Sequence, residues 1–246
     1  MFSFKRDIDF TGYSFIIPSV SVGNVPQLAV DLIVETLQLE PIGQLWHPAL
    51  IPIVAAAAFD HEPTGSVTTA AELYVSESKR FLVLQLRAPL VGSSLQRTFL
   101  EQCADFVRDR HFAQVYLLCS CFSHEKSNIR TAPFSYVSNE AYDRTANASR
   151  LTTDERWTKH APGGAIHGGG FGAKLLELLT NRGVAAVLLF MYVSEGDNTT
   201  EGLMLARMLN AVSGDTLLPA GQDEANFRWP KSWQHLFGSS HPRSLY

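Results

Sequence analysis

The stretch from Val184 to Asn198 reads VAAVLLFMYVSEGDN, ten apolar residues followed at once by a polar turn. Ten residues are too few to cross a bilayer, which takes about 20. Hydrophobicity this continuous, rather than alternating, marks a strand covered on both faces. A helical pattern follows over Glu201 to Val212, with Asn198 or a neighbouring Thr expected as its cap. A buried strand, a polar turn and a helix form the repeating unit of an open α/β sheet, in which ligands bind beyond the carboxyl ends of the strands.

Further apolar runs of strand length occur at Tyr13 to Ile17, Leu50 to Val54, Phe81 to Leu86 and Val115 to Cys119. Helical periodicity lies between them, at Pro26 to Gln38, Leu95 to Arg110 and Phe171 to Leu179. Ala70 to Val75 reads as a strand joined to Phe81–Leu86 by a Ser-Glu-Ser-Lys-Arg hairpin turn, so antiparallel and parallel pairs are expected in one sheet. The expected fold class is therefore α/β, a single layered domain over residues 1–246 with a mixed sheet flanked by helices. Glu140 to Lys159 is polar and is expected to be a surface loop or lid. An aromatic tail is expected over 220–246, where Phe227, Trp229, Trp233, Leu236 and Phe237 are too apolar for a solvated end and must pack on the domain or on a partner.

Composition excludes several function classes. The chain has 20 basic and 24 acidic residues, a net charge of −4 and no basic block, which argues against nucleic acid as a partner. With no apolar leader and no run of spanning length, no membrane or secretory role is expected, and the sequons at Asn147 and Asn198 then carry no meaning. Three cysteines, Cys103, Cys119 and Cys121, form neither a disulfide set nor a zinc pattern, and they read as reduced core thiols. No spacing of His, Cys, Asp or Glu suggests a metal, so neither a metal nor a cofactor is expected.

Pro162 to Gly172, PGGAIHGGGFG, lies just before a helical pattern, where backbone amides can hold an anion. It lacks the Walker lysine and hydroxyl, and it does not follow a first strand as a dinucleotide fingerprint would. His167-Gly168-Gly169-Gly170 matches an esterase oxyanion segment, but no G-x-S-x-G elbow accompanies it. Glu195 and Asp197 could serve as acid and base. The simpler reading is a strand-to-helix turn, with Gly196 supplying the bend.

Several strings occur in an order that resembles the proteasome assembly chaperone family. These are Pro18 to Val25 (PSVSVGNV) with Gln27-Leu28-Ala29 and Asp31-Leu32, Leu84-Gln85-Leu86-Arg87, Pro133-Phe134-Ser135-Tyr136, Pro162-Gly163-Gly164, Val193 to Asn198 (VSEGDN), and Pro230 to Trp233 running on to Gly238. The resemblance spans residues 10 to 238. It marks Gly23, Asn24, Pro133, Phe134, Pro162, Gly163, Gly164, Glu195, Gly196, Asp197, Asn198 and Trp233 as motif positions. It implies a fold related to purine nucleoside phosphorylases without catalytic residues, in the cytoplasm and nucleus. The implied partners are proteasome assembly chaperone 1, as a heterodimer, and the proteasome α-subunits. It also implies a C-terminal tripeptide of hydrophobic, tyrosine and any residue that enters α-subunit pockets. Here Leu245-Tyr246 supplies the first two, with tyrosine last. The contrasting expectation is a phosphorylase-like or hydrolase-like enzyme that uses the 163–172 loop for phosphate.

Overall fold

A computed structural model describes residues 1–126, 128–161, 164–218 and 227–235. In chain order the elements are β1 (Phe2–Phe4), β2 (Ser14–Pro18), α1 (Val25–Leu37), β3 (Glu40–Leu45), β4 (Val54–Ala56), β5 (Val67–Thr69), β6 (Ala71–Ser76), β7 (Phe81–Leu86), α2 (Ser93–Asp109), β8 (Gln114–Phe122), β9 (Phe134–Ser138), α3 (Glu140–Asp143), α4 (Ala148–Thr153), β10 (Trp157–Lys159), α5 (Gly172–Asn181), β11 (Ala186–Val193) and α6 (Thr199–Val212). A 3-10 turn, Lys231–His235, follows them.

Nine strands form one mixed sheet in the order β1-β3-β6-β7-β2-β8-β11-β9-β10. The middle four, β7, β2, β8 and β11, are parallel. Antiparallel partners border them on both sides. This is the mixed α/β sheet that the apolar runs predict.

The chain alternates between two cores, which explains those runs. Phe15, Ile17, Val115, Leu117, Cys119, Leu188 and Phe190 point to the face covered by α2 and α5. Their neighbours Ile16, Tyr116, Leu118, Val187 and Leu189 point to the face covered by α1 and α6. Each such side chain stabilises by about 1.5–3 kcal/mol when fully buried. Helices α1 and α6 pack against each other on this face, and ten of the thirteen residues of α1 are buried. Gly202 sets the distance between the two helices, because a Cβ there would come 2.6 Å from Leu28 Cβ.

Two sequence expectations are corrected. Leu50–Val54 is not a covered strand. Leu50 makes a single bridge to Leu90, and the strand begins at Val54, in a side hairpin β4–β5 whose β4 residues are all exposed. A strand-length apolar run is also what an uncovered edge shows, and periodicity cannot tell the two apart. Glu140–Lys159 is neither a loop nor a lid. It holds α3, α4 and the edge strand β10, pinned by buried Tyr142, Leu151 and Trp157. Three large apolar residues spread thinly through polar sequence suffice for that.

Candidate functional site

The carboxyl ends of β2, β8 and β11 lie side by side, as the sequence predicts for a ligand edge. The glycine-rich loop occupies the crevice beyond β2 and β8. The Ser19 hydroxyl donates to the Gly169 carbonyl at 2.9 Å and accepts the Phe171 amide at 2.9 Å. Val22 N–H reaches the Gly168 carbonyl at 3.1 Å, and Phe122 N–H reaches that of His167 at 3.3 Å. Cys119 Sγ lies 3.1 Å from the Gly169 carbonyl. A Cβ on Gly170 would collide with the Val20 carbonyl, and Gly170 has a φ of 62°. Glycine is therefore required because the loop is wedged against the β2 end.

These contacts decide what the edge can do chemically. Of the amides at the start of α5, where a phosphate would sit, those of Phe171 and Gly172 donate within the protein, to Ser19 Oγ and to the Gly169 carbonyl. Ser120 N–H donates to Ser21 Oγ at 3.0 Å, and the Ser120 hydroxyl donates to the Val22 carbonyl at 2.5 Å. Both serines thus lock β8 to the turn before α1, and among the described residues no imidazole is hydrogen-bonded to either. The Cys119 thiol is pushed up by burial, with further upward pressure from Cys121, so it is held as the neutral thiol.

The structure brings together two of the predicted motif groups. Gly23, with a φ of 66°, and Asn24, at 52°, turn the chain into α1. Gly23 packs flat on the Asn198 amide, which a Cβ would strike. Asn198 sits at the N-cap position of α6 but does not cap it. Its Nδ2 bonds the Ser194 carbonyl at 3.1 Å and the Gly196 carbonyl at 3.0 Å. Asp197 accepts the Thr199 amide at 3.0 Å and the Thr199 hydroxyl at 2.7 Å, and these bonds hold its carboxyl below the usual range. Glu195 is exposed, and Gly196 supplies the bend with a φ of 140°. The turn is built on the pattern of the simpler reading, with Asp197 rather than Asn198 reaching the helix amide.

Pro133 and Phe134 stand apart from this pair, on the far side of β11. Phe134 pairs with Met191 and packs on Trp157, with ring centroids 5.5 Å apart. Gly164 lies against His160. Pro162, Gly163, Leu245 and Tyr246 fall outside the described residues.

Trp233 belongs to a separate cluster at the end of β7. Its indole N–H donates to Asp31 Oδ2 at 3.1 Å, while Arg87 Nη2 donates to Asp31 Oδ1 at 2.7 Å and Gln85 Nε2 donates to the same oxygen. Phe227 and Trp233 are buried, as the aromatic tail requires, and Trp229 stays 55% exposed. Leu236 and Phe237 fall outside the described residues. Asp31 was detectable in the sequence, with Glu35, as one of two charges on an otherwise apolar helix. Ser120 had no such signal, because serine is common inside strands that approach a turn.

The PAC2 family model matches residues 15–209, which run from β2 through β11 and into α6. The chain belongs to the PAC2 family. Human proteasome assembly chaperone 2 is 30% identical over 256 residues, covering 97% of this chain and 96% of its own. The Xenopus tropicalis protein of that name is 28% identical, covering 95% of each. Among solved structures, Pyrococcus furiosus PbaA, an archaeal homologue of proteasome-assembly chaperone, superposes with a TM-score of 0.65 at 14% identity, covering 87% of this chain and 86% of its own. The archaeal proteasome activator PbaB of the same organism gives 0.64 at 15% identity, covering 92% of each. At such identities these two show that the PAC2-family fold is shared. Within it, the chain fills its own carboxyl-edge crevice with the 167–172 loop.

Proposed function

We propose that this chain is a non-enzymatic assembly chaperone. It pairs with proteasome assembly chaperone 1, and the pair binds proteasome α-subunits, promoting the α-ring of the 20S core particle and discouraging off-pathway association, in the cytoplasm and nucleus. The observation that carries this reading is the relationship to proteasome assembly chaperone 2 along nearly the whole of both chains. The filled crevice supports it, since a phosphate or nucleoside would have to displace a hydrogen-bonded loop. A permanent partner of this kind buries more than about 2,000 Å².

Co-purification tests the proposal. The full chain should retain chaperone 1 and, with it, α-subunits; a chain that captures neither ends this reading. A thermal-shift panel of phosphate, nucleosides and nucleotides tests the enzymatic alternative, which predicts stabilisation of about 2.7 kcal/mol at one hundred times Kd. A flat panel is expected. Leu245 and Tyr246 are assigned here to the α-ring. Their removal is expected to abolish proteasome binding and leave the heterodimer intact, both read in one pull-down.

A further inference from the structure

Helix α1 carries two buried carboxylates one turn apart, Asp31 and Glu35. Each holds a segment that arrives from elsewhere in the chain. Glu35 Oε2 accepts the Asp60 amide at 2.9 Å and lies 3.7 Å from His61 Nδ1, while His61 Nε2 donates to the Leu39 carbonyl at 3.0 Å. These contacts fasten the 57–66 loop, between β4 and β5, to α1. Asp31 Oδ2 accepts the Trp233 indole N–H at 3.1 Å, and the Arg228 amide donates to Thr36 Oγ1 at 2.9 Å. Residues 227–235 are thereby strapped to the same helix.

The loop and the strap also touch each other. Ser232 N–H donates to the Ala58 carbonyl at 3.3 Å. Phe227 and Trp233 belong to the same apolar cluster as Ala58 and Phe59. Phe59 is fully buried and anchors the loop, with the Tyr74 ring edge-on at 5.4 Å and the Arg87 guanidinium 5.5 Å from its centroid. Arg87 is the joint between the two segments, because the same guanidinium bonds the carboxylate that holds Trp233. Lifting the strap leaves Asp31 one donor short, frees the Ala58 carbonyl and loosens Arg87 over Phe59. Lifting the loop removes the acceptor of Ser232 and takes Phe59 from under Arg87. Contacts that share partners in this way are not additive, and local opening proceeds in contiguous cooperative units.

We infer that the 57–66 loop and the 227–235 strap form one latch, which opens from α1 and closes on it as a unit with Arg87 as the shared joint. This stands on the contacts above and is independent of the chaperone reading. Its consequence is that a partner drawing on the strap also frees the loop, without touching it.

The test is native-state hydrogen exchange of the full chain, read at the amides of Asp60, Arg228 and Ser232. The reference is Val115, whose amide bonds the Ala185 carbonyl beside the central strands. In the wild type, the three latch amides are expected to share one protection factor, lower than that of Val115. Trp233→Phe keeps an aromatic ring and every acceptor of the strap amides but loses the bond to Asp31. It is expected to speed exchange at Asp60 as well as at Arg228 and Ser232 by about five- to tenfold, the worth of one neutral hydrogen bond. Glu35→Gln, which makes the loop's acceptor neutral, is expected to speed Arg228 and Ser232 along with Asp60. Unchanged protection at Val115 verifies that each variant is folded. Acceleration confined to the strap in Trp233→Phe and to Asp60 in Glu35→Gln would make these two separate docks and overturn the latch. Acceleration of Val115 by the same factor would show global unfolding instead of a latch, and no change at any amide would also overturn it.

Discussion

Asp31 is a buried carboxylate on a helix whose other buried residues, Glu35 apart, are apolar, and its surroundings explain why that is stable. Arg87 supplies the counter-charge, while Gln85 and Trp233 donate the remaining hydrogen bonds. Truncating one partner of such a pair leaves the other charge uncompensated, which is more damaging than losing a hydrogen bond. Asp31→Ala is therefore expected to cost about 3 kcal/mol in urea unfolding. Trp233→Phe, which loses one neutral donor, should cost about 1–1.5 kcal/mol. Equal effects would show that Arg87 is not held by the carboxylate. The cysteines give a second expectation at this scale. Burial pushes the Cys103 and Cys119 thiols up, and it pushes Cys121 up to about 12. At pH 8 all three are then protonated, and the thiolate is the reactive form. Native protein should react negligibly with a disulfide reagent and unfolded protein at all three; a fast native thiol would place one at the surface.

At the scale of elements, the glycine loop is wedged against the end of β2, and its glycines can be sorted by what surrounds them. Gly170 combines a φ of 62° with a backbone clash, whereas Gly183 has a φ of 70° and open space. Gly183→Ala should therefore cost only the left-handed strain of about 1–2 kcal/mol. Gly170→Ala should cost at least about 2 kcal/mol more, measured by chemical denaturation. Equal costs would mean that the loop is not wedged. The elements also show what a single sequence reveals. The central strands β2, β7, β8 and β11 were legible because both of their faces are covered, and continuous hydrophobicity records that. β3 was not, because Glu-Pro-Ile-Gly-Gln-Leu answers to its neighbours. Gly43 is glycine because the Ser3 carbonyl lies where its Cβ would be, and the ladder shifts register between Pro41 and Gly43. β9 and β10 escaped for a related reason, since Trp157 is the only large apolar residue among the three of β10. Of the candidate site, the turn at 194–198 was legible from Gly196 and Asp197. Its contact with Gly23 was not, because Gly23 and Asn198 are 175 positions apart in the chain and only the topology joins them.

The described residues combine a carboxyl-edge crevice occupied by the 167–172 loop with a strand, β4, that pairs on one side only. A chain of this kind should be measurably less stable alone than with its partner, because a partner that binds only the folded state stabilises it by mass action. At one hundred times Kd the gain is about 2.7 kcal/mol. For a chain of this size each kcal/mol moves Tm by roughly 2–4 °C, so a rise of roughly 5–11 °C is expected on adding chaperone 1. The rise should grow with partner concentration, which distinguishes binding from a change of buffer or crowding. The same titration with isolated α-subunits should give a smaller shift, since an interface built for release has a larger Kd and the gain depends on the ratio of concentration to Kd. A Tm independent of chaperone 1 concentration, in a chain whose other unfolding behaviour is two-state, would show that the exposed edge needs no partner to be tolerated.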